Sequence, residues 1–203
     1  MADHLKLYHN PQSRAVIAHW ALEEAGAEYD LVPVDFQAGD TRRPDFLALN
    51  PMGKVPTLLL PDGTVVTETP AIVAWAADAY PEARLAPAPT SSQRGAYYRW
   101  LFFGSGCFEP AMTEVMMRKE AAPLPRSTVG WGTFDDVVSA LEGTLGKTPY
   151  LLGDGFSAAD LYIASQLSFG SMFGAPRLKD SFVLQSYIER CVGREAHRRV
   201  NAG

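Results

Sequence analysis

Two hydrophobic periods alternate along the first eighty residues. Leu5-Lys6-Leu7-Tyr8 has the pattern of a short strand, whereas Val16, Ile17, Trp20 and Ala21 recur at helical spacing between Ser13 and Ala25. Asn10-Pro11 sits between them, a capping residue followed by a proline suited to the first helical position. Gly26 is placed to close the helix in the left-handed conformation. Tyr29 to Phe36, carrying Leu31, Val32 and Val34, predicts a second strand. A strand–helix–strand start implies a parallel pair with a right-handed crossover. Asp45 to Leu49 predicts a short helix that stops at Asn50-Pro51. Val55 to Leu60 predicts a third strand, Pro61-Asp62-Gly63-Thr64 a turn, and Val65-Val66 the start of a fourth strand. Thr69-Pro70 then opens a helix that runs through Tyr80. The sheet is therefore mixed, parallel and then antiparallel.

The pattern changes after residue 80. Residues 81–91 hold three prolines and little periodicity, as a linker would. Beyond it the spacing predicts helices over 92–118, 128–145, 157–169 and 180–192, with a loop from Glu120 to Ser127. The reading is an α/β domain over 1–80, a linker over 81–91 and an all-helical domain over 92–203. A chain of 203 residues is long enough for two small cores.

Composition narrows the function. A net charge of −5 argues against a nucleic-acid surface. No apolar run approaches the roughly 18 residues of a membrane span. Met1-Ala2-Asp3-His4 lacks a basic stretch followed by an apolar one, so no signal peptide is expected and a reducing cytoplasm is the default location. The cysteines, Cys107 and Cys191, form no Cys-x-x-Cys, which removes dithiol redox chemistry. His4, His9, His19 and His197 show no ligand spacing, and no metal is expected.

Three segments carry a family resemblance. Asn50 to Ile72, NPMGKVPTLLLPDGTVVTETPAI, resembles the glutathione-site signature of the glutathione transferases. WALEEAGAEYDLVPVDF and GDGFSAADLYIAS resemble two further segments of that family. The likeness covers nearly the whole chain and is weakest over 110–135. It implies a thioredoxin-like domain with a mixed four-stranded sheet, followed by a helical bundle. It also implies glutathione as co-substrate, a small apolar electrophile as the second substrate, and a homodimer. The class implied is bacterial-like and serine-type: Ser13 sits two residues past Pro11, where the plant-type serine classes place their catalytic serine, and the absence of a cysteine from the first loop disfavours the cysteine-type classes.

The resemblance also implies roles for residues. Pro56 would be cis, and Val55 would offer its main-chain N–H and C=O to the tripeptide; a cis bond before proline costs only about 0.5–1 kcal/mol. Glu68 would pair the γ-glutamyl ammonium. Thr69, at a helix N-terminus, would receive the carboxylate. Arg42 aligns with a basic position that meets the glycine carboxylate, with Arg43 and Lys54 as competitors.

The thiol needs an activating donor. Lowering a thiol pKa by two units from about 8.5 takes about 2.7 kcal/mol. One hydrogen bond to the thiolate supplies about 1.5–3 kcal/mol, and a helix N-terminus adds about 0.3–1. A single neutral donor at the entry to the first helix therefore suffices. The candidates there are Tyr8, His9, Asn10 and Ser13, taken in the order Ser13, then Asn10, then Tyr8; Ser13 could instead bond only its own backbone. Tyr97, Phe103 and Met112 are candidates for the electrophile pocket between the domains, although such aromatics and methionines also build cores. Cys107 reads as a small buried residue. Ser157 and Asp160 form a structural capping box.

Overall fold

A computed structural model of the chain describes residues 4–118 and 120–202. Met1–Asp3, Lys119 and Gly203, which include the ends of the expected domains, lie outside the described residues. The chain divides into two units. One extends to Leu85 and also takes in the segment from Glu195 onward; the other is Ala86–Arg194.

The first unit contains a four-stranded sheet of β1 (Leu5–His9), β2 (Tyr29–Pro33), β3 (Thr57–Leu59) and β4 (Val65–Thr67). The spatial order is β2-β1-β3-β4, with β1 parallel to β2 and the other pairs antiparallel. This is the expected mixed sheet. Helices α1 (Ala15–Ala25), α2 (Pro44–Leu49) and α3 (Thr69–Ala79) complete the pattern. Ile17, Trp20, Leu22, Ile72 and Val73 bury against Leu5, Leu7 and Leu58 to form the core, which burial of apolar surface stabilises. Gly26 closes α1 with φ 68°, as its position predicts, and the Ala27 N–H reaches the Leu22 carbonyl at 3.0 Å. The second strand ends at Pro33, short of Phe36. Beyond it Asp35 folds the chain back by accepting from the N–H groups of Gln37 (2.7 Å) and Ala38 (3.2 Å), a local alternative to the ladder.

A short helix, α9 (Glu195–Val200), belongs to this unit and packs on α1. Arg199 Nε meets Glu23 Oε2 at 2.8 Å, and the His197 ring lies 4.5 Å from that of Trp20. The periodicity reading stops at residue 192, because six residues are too few to display a helical repeat.

The second unit is entirely helical among its described residues, apart from one isolated bridge between Tyr150 and Gly153. Its helices are α4 (Arg94–Phe103), α5 (Glu109–Met117), α6 (Phe134–Leu145), α7 (Ala158–Met172) and α8 (Phe182–Val192). The helix expected over 92–118 is interrupted by a π-helical turn at Gly104–Phe108. Gly104 packs against Tyr162 so closely that a Cβ would come within 2.6 Å of the ring, so the widened turn follows a tertiary contact. The next helix starts at Phe134 rather than 128, where Thr133 and Asp136 form a capping box. Cys107 is half-buried rather than buried, and Cys191 is buried; burial pushes both thiols up.

At the start of α7 the Asp160 carboxylate is wholly buried and surrounded by donors. It accepts from the N–H groups of Leu151 (2.8 Å) and Ser157 (2.9 Å), and from the hydroxyls of Ser157 (2.6 Å) and Tyr187 (3.1 Å). Burial pushes its carboxyl up against the opposing pull of these bonds. The role is structural: one side chain ties the start of α7 to the loop before it and to α8.

Candidate active site

Strand register gathers the amino-terminal candidates at one end of the sheet. Tyr8 pairs with Thr57, and Thr57 pairs with Thr67, so three strands align side by side at this level. Just beyond it lie the Asn10–Ser13 turn after β1, Val55-Pro56 before β3 and Glu68-Thr69 after β4. Segments separated by up to 59 positions in sequence thereby share one edge, because the sheet is parallel and then antiparallel.

Hydrogen bonds within the chain hold each of these segments. Asn10 Nδ2 donates to the Val34 carbonyl (2.8 Å), and its Oδ1 accepts from the Gln12 N–H (2.9 Å). Ser13 Oγ donates to the Asn10 carbonyl (2.7 Å) and accepts from the Ala15 N–H (3.1 Å). The Ser13 hydroxyl is half-exposed at the entry to α1 and bonds its own backbone, the local arrangement open to any serine in that position. Tyr8 and His9 point to opposite faces of the sheet, as successive strand residues must. The Tyr8 ring meets Phe46 of α2 edge-on at 5.6 Å, and His9 meets His19 of α1 at 5.3 Å. Tyr8 therefore projects away from the face that carries α1.

The Val55–Pro56 bond is cis, as the resemblance implies. The loop before it is fixed by Asn50, which is buried. Asn50 Nδ2 donates to the Lys54 carbonyl (2.9 Å) and to Thr57 Oγ1 (3.1 Å), and its Oδ1 accepts from the Met52 N–H (3.1 Å). The Thr57 hydroxyl adds a bond to the Lys54 carbonyl (3.0 Å). The sequence predicts Asn50 as a helix stop, and the Asn-Pro pair inside the signature is the one sign there of its second role. Gly53 has φ 62°, and a Cβ there would come within 2.7 Å of the Thr41 carbonyl and 2.9 Å of the Arg42 guanidinium. Arg42 is thus seated against the turn that leads to Lys54 and Val55. Lys54 is exposed. Arg43 pairs instead with Asp40 (3.8 Å) and Asp45 (3.5 Å), exposed contacts of little energetic weight.

Glu68 has φ 67° and ψ 119°, a conformation that side-chain-bearing residues rarely adopt. The residue is exposed, and its side chain makes no capping hydrogen bond to the helix that follows. Its carbonyl accepts from the N–H groups of Ala71 and Ile72, both at 3.0 Å. Pro70 has no N–H, so Thr69 supplies the remaining first-turn donor at the positive end of α3. Strained backbone of this kind marks a candidate ligand clamp.

In the second unit, Tyr97 and Met112 belong to the packed core, at 0% and 4% exposure. Phe103 is half-buried and lies edge-on to Trp100 at 5.3 Å. No helix among the described residues is long and apolar enough to cross a membrane. No group of three or more potential metal ligands occurs among them either.

Comparison with known proteins places this geometry in a family. The family model described as glutathione S-transferase, N-terminal domain, matches residues 3–78, and the corresponding C-terminal domain matches residues 74–169. Glutathione S-transferase 3 of Zea mays is 33% identical over 165 residues, 77% of this chain and 73% of the maize protein. A ternary complex of BphK, a bacterial GST, superposes with a TM-score of 0.80 at 33% identity and covers 96% of each chain. A sphingomonad glutathione S-transferase complexed with glutathione superposes with the same score at 28% identity, again over 96% of each chain. With both domain models matched in order and relatives at this identity along most of its length, the chain belongs to the glutathione S-transferase family.

Proposed function

We propose that this protein binds glutathione at the sheet edge of its first unit and activates the thiol for attack on a small apolar electrophile, or for peroxide reduction. One observation carries the reading: the register that aligns Tyr8, Thr57 and Thr67 sets the Ser13 turn, the cis Pro56 and the strained Glu68 side by side. Main chain at Val55, outside the paired strands, takes the tripeptide backbone. The Thr69 N–H and hydroxyl receive the γ-glutamyl carboxylate, and Glu68 pairs its ammonium. Arg42, with Lys54 beside it, meets the glycine carboxylate. The family relation supports glutathione as the ligand, since the sphingomonad relative is complexed with it.

In this reading the sulfur comes to the entry of α1, where the Ser13 hydroxyl rotates from the Asn10 carbonyl to donate to the thiolate. Asn10 shapes the turn through Val34 and is the second candidate donor; Tyr8 is the third. The thiolate then forms a bond to the electrophilic carbon, and the electron pair leaves with the displaced group. Of the three pocket candidates, Phe103 has surface with which to meet an apolar substrate, while Tyr97 and Met112 are buried in the core of the second unit. The enzyme acts as a cytoplasmic homodimer without a metal.

Glu68→Ala tests the binding half of the proposal. Loss of a charge-assisted hydrogen bond costs about 1.5–3 kcal/mol, so glutathione affinity measured by calorimetry falls by roughly tenfold to a hundredfold. Unchanged affinity removes Glu68 from the site. A second reading, a glutathione-binding protein without turnover, is favoured by the Ser13 hydroxyl's bonds to its own backbone. A panel of electrophiles and peroxides assayed with glutathione separates the two.

A further inference from the structure

The β1–α1 turn sits above a pair of imidazoles that the proposed chemistry does not use. His9, the last residue of β1, and His19, on α1, stack edge-on with ring centres 5.3 Å apart. Tyr29 of β2 closes the other side of His19 at 5.6 Å. His9 Nε2 and His19 Nδ1 are buried and have no hydrogen-bond partner, so neither ring has a ready acceptor for an extra proton at that nitrogen.

His9 also helps anchor the turn. The His9 carbonyl accepts the Val34 N–H (2.8 Å), and the adjoining Asn10 side chain returns a bond to the Val34 carbonyl (2.8 Å). The Asn10 carbonyl in turn holds the Ser13 hydroxyl and, at 3.1 Å, the Ser13 N–H. Asn10 to Ser13 thus hangs between the strand end that carries His9 and the helix that carries His19. We propose that the His9–His19 pair is an acid-sensitive latch: uptake of a proton by the pair parts the end of β1 from α1 and releases the turn before the whole unit unfolds. The consequence for catalysis rests on the reading that this turn holds the glutathione sulfur.

The charged surroundings do not cancel the effect. His9 faces His19, whose charge would oppose its own. His19 faces Glu23 one turn along α1, which favours a proton, but that carboxylate already accepts the Tyr29 hydroxyl (2.5 Å) and pairs with Arg199 (2.8 Å). The other ionisable groups on α1 and on the elements packed against it are Glu24 on α1, Lys6 and Tyr8 on β1, Asp30 on β2, Asp78 on α3, Glu82 in the turn after it, and Glu195, His197 and Arg198 on α9. Burial holds both imidazoles below the ordinary histidine range. The sign follows. Well above about pH 6.5, the ordinary histidine value and that of the open form, both rings are neutral whether the latch is open or closed. Below that value the open form takes up protons that the closed form refuses, so closure weakens as pH falls.

Two measurements test the latch. Amide hydrogen exchange of residues 9–18 in the wild-type protein, corrected for the intrinsic pH dependence, should accelerate at least tenfold from pH 7.5 to 5.5, while the peptide covering β3 and β4 does not. Exchange that stays level overturns the proposal without need of any variant. S-methylglutathione, which has no thiol to titrate, should bind at least tenfold more weakly at pH 5.5 than at pH 7.5. His19→Phe, which keeps an aromatic ring in place, should reduce that difference to under threefold. A variant difference equal to that of the wild type also overturns the latch. Acid-accelerated exchange in a protein that binds no S-methylglutathione at pH 7.5 leaves the latch in place and removes the glutathione reading instead.

Discussion

Ser13→Ala is expected to raise the pKa of the bound glutathione thiol by about one to two units, the equivalent of the 1.5–3 kcal/mol that a hydrogen bond to a charged acceptor supplies. Thiolate absorbance followed through a pH titration reads this shift directly. Turnover at pH 6.5 should fall roughly tenfold to a hundredfold with little change in KM for glutathione, because the lost interaction is made to the sulfur rather than to the peptide. The substitution also removes the bonds of Ser13 to Asn10 and Ala15, and loss of such a capping interaction costs about 0.5–2 kcal/mol of stability. Ser13→Thr separates the two effects, since it keeps a hydroxyl at the same place and should restore most of the thiolate. A titration curve unchanged in Ser13→Ala transfers the role to Asn10 or Tyr8.

Asp160→Ala should produce the largest loss of stability. The carboxylate satisfies four donors from three parts of the second unit, and truncation leaves those donors buried without an acceptor. A cost of about 3–5 kcal/mol is expected, a large fraction of the roughly 5–15 kcal/mol that holds a typical domain folded. Asp160→Asn should also be costly, because its amide places a donor against donors. Urea denaturation followed by circular dichroism reads both. A midpoint within experimental scatter of the wild type would show that the network has an alternative arrangement. Glutathione affinity measured below the transition should be nearly unchanged, since Asp160 and the proposed ligand residues belong to different units.

Local chemistry made much of this fold legible. The Gly26 stop, the Thr69-Pro70 start and the hairpin at Asp62-Gly63 each follow from what one or two residues can do with their own backbone. In the hairpin, Gly63 takes φ 90°, the Asp62 carboxylate accepts the Thr64 N–H (2.8 Å), and the Leu60 N–H reaches the Thr64 carbonyl (2.8 Å). Most of the features that were not legible depend on distant partners, and one on a local competition between side chain and ladder. The π-helical turn needs Tyr162 against Gly104, the bend after Pro33 needs Asp35 and Asp40, and α9 needs the surface of α1. Thr133 to Asp136 is different: its capping box was readable, and a helix start placed at 128 overlooked it.

The candidate site divides in the same way. The signature pointed to Pro56, Glu68 and Thr69 through motif and spacing. Beyond the Asn-Pro pair it gave no sign that Asn50 braces the loop from beneath, and none that Tyr8 would turn toward Phe46. Strand alternation could have raised the Tyr8 question, since Leu5 and Leu7 fill the core and Tyr8 must face the other way. The hydroxyl of Ser13 is the least legible feature of all, because the proposed role has it exchange the Asn10 carbonyl for the glutathione sulfur.

A crystal structure of the protein with glutathione bound addresses the proposed site most directly. The γ-glutamyl group should lie against Glu68 and Thr69, the peptide should run along Val55, and the sulfur should stand within about 3.5 Å of Ser13 Oγ, the range at which sulfur accepts a hydroxyl. Glutathione bound elsewhere, with the edge beside Pro56 left bare, would disprove it.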